Sequence, residues 1–253
     1  MAKEQKKGRV RWRMVAGVIA LALLTASAAM ATLKVRRFVN ADPQFSLSRE
    51  RPDALEIEGL KFTARAKIFS VFAGDFDRSV FAIPLEERRS RLREIDWVED
   101  ASISRLWPDR VAVRIRERRP VAFVLLHPSV LLIDGDGVLL EQPPQSQFAF
   151  PVLSGIRPQD TLEQRRDRVH TFLRVEQDLG YLAKDVSEID TGDTGNIRVV
   201  AQADNRAVEL LLGDSDFGRR YQNFLNHYPE IRKRSPEVKR FDLRLDDRIT
   251  ARE

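Results

Sequence analysis

The residue types that could do chemistry are present in this chain, but their spacing does not assemble them. His127, His170 and His227 are scattered along 253 residues, and none has a metal-binding or triad partner at motif spacing. There is no cysteine, which removes disulfide scaffolds, thiolate zinc sites, iron–sulfur clusters and thiol nucleophiles together. No G-x-S-x-G, P-loop, H-E-x-x-H or G-x-G-x-x-G occurs. The acidic run Asp134-Gly135-Asp136-Gly137 has the hard oxygen donors that calcium prefers, but a calcium loop needs further oxygens where Val138 and Leu140 stand. The run reads as a hairpin turn. Acid pairs such as Glu86-Glu87 and Asp246-Asp247 are expected on any chain that is 32% charged. The expectation is a protein without catalytic residues, cofactor or metal, and not an enzyme.

The charge is unevenly distributed. The chain carries +5 overall, yet residues 1–37 alone carry +8 and the other 216 residues carry −3. A folded body of net negative sign has no overall attraction for phosphate polymers, so nucleic acid is not an expected partner, and no small-molecule substrate is indicated either. The dense runs Arg88–Arg93 and Arg114–Arg119 have acidic neighbours and read mainly as solvated faces.

Between Arg13 and Lys34 lie twenty uncharged residues, Met14–Leu33. As a helix they would span about 30 Å, the hydrocarbon thickness of a bilayer. Six basic residues precede the run and three follow it, which puts the N-terminus in the cytoplasm. A cleavable signal peptide ending near Ala28 or Ala31 is the competing reading, and both readings export the rest of the chain.

Residues 38–54 are polar with two prolines and read as linker. Then follow a strand at Leu55–Leu60 and a helix at Ala64–Phe72 capped by Thr63. A second helix runs over Leu85–Glu94, and two alternating strands occupy Trp97–Leu106 and Asp109–Glu117. Trp107-Pro108 makes the turn between those strands, with Trp107 expected to be buried. Beyond Pro120 strands are expected at Val121–Leu126, Val130–Asp134 and Val138–Leu140, and later at Val186–Asp190, Asn196–Ala201, Ala207–Leu212 and Lys239–Leu245. Amphipathic helices fit Thr161–Leu182 and a stretch from Asp214 or Ser215 to Tyr228.

The run from Trp97-Val98 through Ala101-Ser102-Ile103, Arg105-Leu106-Trp107-Pro108 and Val113-Arg114-Ile115-Arg116-Glu117-Arg118-Arg119-Pro120-Val121-Ala122 resembles the hallmark of the bacterial cell-division family FtsQ/DivIB. Leu131-Leu132-Ile133-Asp134-Gly135-Asp136-Gly137 resembles the hairpin that opens that family's β domain, and Phe241-Asp242-Leu243-Arg244 its last strand. The resemblance spans residues 9–248. It implies an α+β fold: one N-terminal transmembrane helix, a β-α-α-β-β POTRA domain, and a mixed, mostly antiparallel β domain with two helices. The expected divisions are a cytoplasmic tail at 1–13, membrane helix 14–33, linker 34–54, POTRA domain 55–119, β domain 120–246 and polar tail 247–253.

By the same resemblance the protein is a single-pass protein of the bacterial cytoplasmic membrane, at the division septum with its folded part outside, docking divisome subunits like FtsB and FtsL. A POTRA-bearing export or envelope-assembly factor is the alternative. A strand late in a sheet tends to be an edge with unpaired N–H and C=O groups, where another chain can add a strand. The expected partner-binding residues are therefore Lys239, Arg240, Phe241, Asp242, Leu243, Arg244 and Leu245, with Ile103 and Arg105 as a second docking face.

Overall fold

A computed structural model describes residues 4–144, 146–245 and 248–252. The first element, α1 (Glu4–Ala41), is a single helix of 38 residues. Its portion Ala16–Ala41 is long and apolar enough to cross a membrane, and none of it is buried against the protein. The helix runs past the expected end at Leu33 because nothing between Lys34 and Val39 breaks it. It stops where Asp42 accepts the Gln44 N–H and Pro43 opens a 3-10 turn.

The chain divides into two compact units, Met1–Glu117 and Arg118–Glu253. In the first, β1 (Leu55–Glu58), α2 (Arg65–Val71), α3 (Leu85–Arg93), β2 (Val98–Leu106) and β3 (Arg110–Glu117) follow the β-α-α-β-β order. The strands form a sheet in the order β1-β3-β2, with β1 parallel and β2 antiparallel to β3. Val111, Val113 and Ile115 of β3 alternate inward onto Ile68, Phe72 and Leu92 of the helices, as the period-two pattern requires.

The stretch read as linker contributes to this core. Phe45 and Leu47 are buried, with the Leu47 N–H donating to Arg78 O at 2.9 Å and the Val80 N–H to Phe45 O at 2.9 Å. Two apolar residues among prolines and charges carry no periodic signal. Only their pairing with residues 77–80 reveals them.

Three local expectations change. Thr63 does not cap α2; Ala64 holds that position without a side-chain bond. Instead the N–H groups of Lys61, Phe62 and Thr63 all point at the Glu117 carboxylate, at 3.0, 3.0 and 2.6 Å. Arg88 does not join the solvated face of α3 but is buried, its guanidinium on the fully buried Asp75 with one bond of 3.0 Å. Trp107 is not in the core: it stands at the β2–β3 tip with 76% of its surface exposed, while Trp97 is the indole that packs inside, against Phe62. A turn residue whose neighbours on both sides belong to strands has no third layer to bury it.

In the second unit one sheet has the order β12-β11-β10-β9-β8-β7-β4-β5-β6. Its strands are β4 (Pro120–Leu126), β5 (Ser129–Asp134), β6 (Leu139–Leu140), β7 (Val152–Ser154), β8 (Val186–Asp190), β9 (Ile197–Ala203), β10 (Arg206–Gly213), β11 (Arg240–Asp242) and β12 (Thr250–Arg252). Five of its eight neighbour pairs are antiparallel. Parallel neighbours need a crossover, and two of the three parallel pairs have a helix as theirs: α4 (Leu162–Leu179) links β7 to β8, and α5 (Phe217–Arg234) links β10 to β11. Both crossovers step the same way along strands of the same direction. A common hand therefore puts both helices on one face of the sheet.

There Val169, Phe172 and Val175 of α4, with Phe217, Tyr221 and Phe224 of α5, cover Leu153, Ile189, Val199 and Leu210. The Asp178 carboxylate at the end of α4 receives the Gly218 N–H in the first turn of α5 at 3.1 Å, a cap borrowed from the neighbouring helix. The acidic turn serves itself: Asp134 Oδ1 accepts the N–H groups of Asp136 and Val138 at 3.0 and 2.8 Å, and Oδ2 the Arg118 guanidinium at 2.8 Å.

Truncating Asp75 to alanine strands a buried guanidinium, so it should cost about 3–5 kcal/mol in the first unit, whereas Trp107→Ala should stay within about 0.5 kcal/mol. Chemical denaturation of the two variants side by side checks both values. Acid should weaken the same unit in a defined way. Burial raises the Glu117 pKa, but the bonds from Thr63, Phe62 and Lys61 outweigh it and hold the carboxyl below its usual range. A depressed folded-state pKa contributes stability that is present above the ordinary Glu pKa of about 4.3 and is lost as the pH falls through the folded value. Unfolding midpoints between pH 6 and about pH 3 should therefore fall less steeply for Glu117→Gln than for the parent.

Candidate partner-binding site

The structure places the expected strand residues in different roles. Phe241 is buried among the aromatic rings of α5, with centroids 4.9 Å from Phe224 and 6.1 Å from Tyr228, and those two rings lie 5.0 Å apart. Leu243 is buried too, and its N–H donates to Leu211 O at 2.9 Å. Lys239 gives its carbonyl to the Glu209 N–H at 2.8 Å. These groups hold the segment to β10 and face inward.

The strand itself is shorter than expected, Arg240–Asp242, and it is not an edge. β12 pairs antiparallel on its far side, in the register Arg240↔Arg252, Phe241↔Ala251 and Asp242↔Thr250. The region expected to be a polar tail thus supplies the outermost strand. Three residues flanked by charges show no alternation, so sequence pattern had no means of finding it. The strand ladder also tells which groups are open. Lys239 and Leu243 turn their backbone groups to β10, and Phe241 turns with them. Its partner Ala251 therefore forms the pair without mutual hydrogen bonds, and the Ala251 N–H and C=O face away from the sheet.

Arg240, Asp242 and Arg244 lie on the face opposite the helices. Arg240 Nε meets Glu209 Oε2 at 3.0 Å, and Arg244 binds Asp242 through Nε at 2.9 Å and Nη2 at 2.8 Å. That hydrogen bond, only partly offset by burial, raises the Arg244 pKa above its ordinary value. Arg244 also donates to Asn196 Oδ1 at 2.8 Å, and Arg198 of β9 approaches Glu209 at 3.8 Å. Together Arg198, Arg240 and Arg244 line an open cleft with Asp193, Asn196 and Glu209. Arg198 and Glu209 were not singled out in the sequence, although their outward place in alternating strands was readable. On the helix side of the same edge Leu245 is exposed and lines a second cleft with Leu243, Ile249 and Asn223.

The second face behaves otherwise. β2 is an edge of the three-stranded sheet, but Ile103 packs partly on the core, and Arg105 donates to Val80 O and Ile83 O at 2.6 and 2.8 Å. Arg105 is spent on positioning the loop before α3.

The family described as POTRA domain, FtsQ-type, matches residues 51–118. A cell division protein FtsQ of Koribacter versatilis is 34% identical over 206 residues, covering 79% of this chain and 59% of that protein. One from Novosphingobium aromaticivorans is 29% identical over 208 residues, covering 78% of this chain and 60% of the relative. Another, from Streptomyces bingchenggensis, is 31% identical over 182 residues, 66% of each chain. The chain thus spans about three-fifths of the length of the first two relatives. Among solved structures, the major extracytoplasmic domain of the cell division protein DivIB from Geobacillus stearothermophilus is similar, at 19% identity with a TM-score of 0.28. The match covers 47% of this chain and 95% of that one.

Removing the Phe241 ring should cost about 3–5 kcal/mol, the range for emptying a buried aromatic site, and should loosen β11 and β12 together. Hydrogen exchange on Phe241→Ala checks the second part: amides of β10 to β12 should lose protection while those of β4 and β5 keep theirs.

Proposed function

This chain is a relative of the bacterial cell-division proteins FtsQ and DivIB, and from that premise we propose that it is a non-enzymatic divisome subunit, held in the cytoplasmic membrane by α1 with its N-terminus inside, that docks and positions FtsB/FtsL-like partners at the septum. Its work is localisation: an anchor confines its partners to the plane of the membrane and raises their effective concentration for one another. The domain boundaries follow the two compact units, with α1 as anchor, a POTRA domain ending at Glu117 and a β domain from Arg118 onward.

The observation that carries the docking reading is the edge of β12, open among the described residues and firmly backed through β11 and Phe241. An incoming extended segment gains main-chain hydrogen bonds there, centred on Ala251. Acidic side chains of the partner would meet Arg198, Arg240 and Arg244 on one face, and apolar ones Leu245 and Ile249 on the other. Lys239–Leu245 is then the bed of the site, and β12 its rim. Neither Leu243→Pro nor Arg244→Pro tests the edge, because the Leu243 N–H is bonded to Leu211 and the Arg244 N–H to Asp242.

The discriminating substitution is Ala251→Pro, which removes the outward N–H of an edge strand where proline is tolerated best. It should weaken binding of the partner's extracytoplasmic segment at least tenfold, or about 1.4 kcal/mol, with a small change in thermal stability. Leu245→Glu should weaken it through lost apolar contact. Isothermal titration of both variants measures this, and unchanged affinity in both would place the docking surface elsewhere.

A further inference from the structure

We propose that the pole of the first unit that receives α1 rests on the lipid headgroups, with Trp107 as its anchor in the membrane interface. The inference rests on the reading of α1 as a membrane span. Trp107, at the β2–β3 tip, is the most exposed large apolar side chain among the described residues outside α1. Its location follows from a chain of contacts. Arg105, two residues before it, holds the carbonyls of Val80 and Ile83. The Ser79 hydroxyl donates to Val39 O, in the last turn of α1, at 2.9 Å. The rings of Phe38 and Phe45 lie 6.1 Å apart, and those of Phe45 and Phe81 5.6 Å. On the other side of the tip, Arg51 holds Asp109 at 2.7 Å. The hairpin tip, the loop at 79–83 and the end of the membrane helix are one contiguous pole, on which Phe38 and Phe81 are also exposed.

The lengths place that pole at the interface. Phe38 lies five residues beyond the uncharged run ending at Leu33, about 8 Å of helix. The headgroup layer on one side of a bilayer is about 5–8 Å deep. The aromatic pole therefore begins at the headgroup layer. The chemistry suits the place: an indole has an apolar body and one N–H donor, the combination enriched at membrane interfaces. Lys34, Arg36 and Arg37, exposed on the same stretch of α1, add attraction for anionic headgroups. The helix-to-domain contacts then orient the POTRA domain on the bilayer surface instead of leaving it on a tether.

The test uses the whole chain in vesicles of mixed zwitterionic and anionic phospholipid brominated near the headgroup, which quench tryptophan on contact. Trp12→Phe leaves Trp107 as reporter, Trp107→Phe leaves Trp12 at the other end of α1, and the double variant gives the background of the buried Trp97. The expected result is quenching of Trp107 comparable with that of Trp12, both well above background. If Trp12 is quenched and Trp107 stays at background, the anchor stands and the interfacial pole is overturned. If both stay at background, the membrane span fails and the inference falls with it.

Discussion

The packing of Phe241 against Phe224 and Tyr228 is the contact on which the candidate site depends. α5 leaves β10 and must return to the sheet beside it, and the returning strand attaches to the core through this ring, with Leu243 buried behind it and Val238 packed alongside. Its seat sets the register of β11 on β10, which sets that of β12 on β11, and so decides which backbone groups remain open. A shift of one residue would turn Phe241 to solvent and Arg240 into the core, so the aromatic cluster specifies the edge as well as stabilising it.

The first unit relies on polar groups to fix its irregular parts. Glu117 gathers three N–H groups that would otherwise be orphaned ahead of α2, and Asp75 with Arg88 ties the loop before α3 to that helix. A buried ion pair is weak evidence for net stability, but losing either partner is costly, which makes it a constraint on conformation. Arg105 and Ser79 do the same at the pole that meets α1. Helix and domain therefore join through side-chain contacts and hydrogen bonds, and not through backbone alone.

Period-two runs place β2 and β3, helical spacing places α3, α4 and α5, and an uncharged stretch of bilayer length marks α1, because each pattern reports on burial of a whole face. The hallmark around Trp97–Ala122 was also enough for the family. Short elements were not legible: β7 and β12 have three residues each, too few for any period, and Phe45 and Leu47 are isolated among polar residues. Only the tertiary structure could decide what depends on neighbours distant in the chain. Arg88 is buried because Asp75 is there to receive it, Trp107 is exposed because no layer lies over the hairpin tip, and β11 is interior to the sheet because β12 pairs on its far side. Local pattern tells which face of an element is apolar. Whether an edge is open is set by what else pairs with it, and that information lies in no single segment.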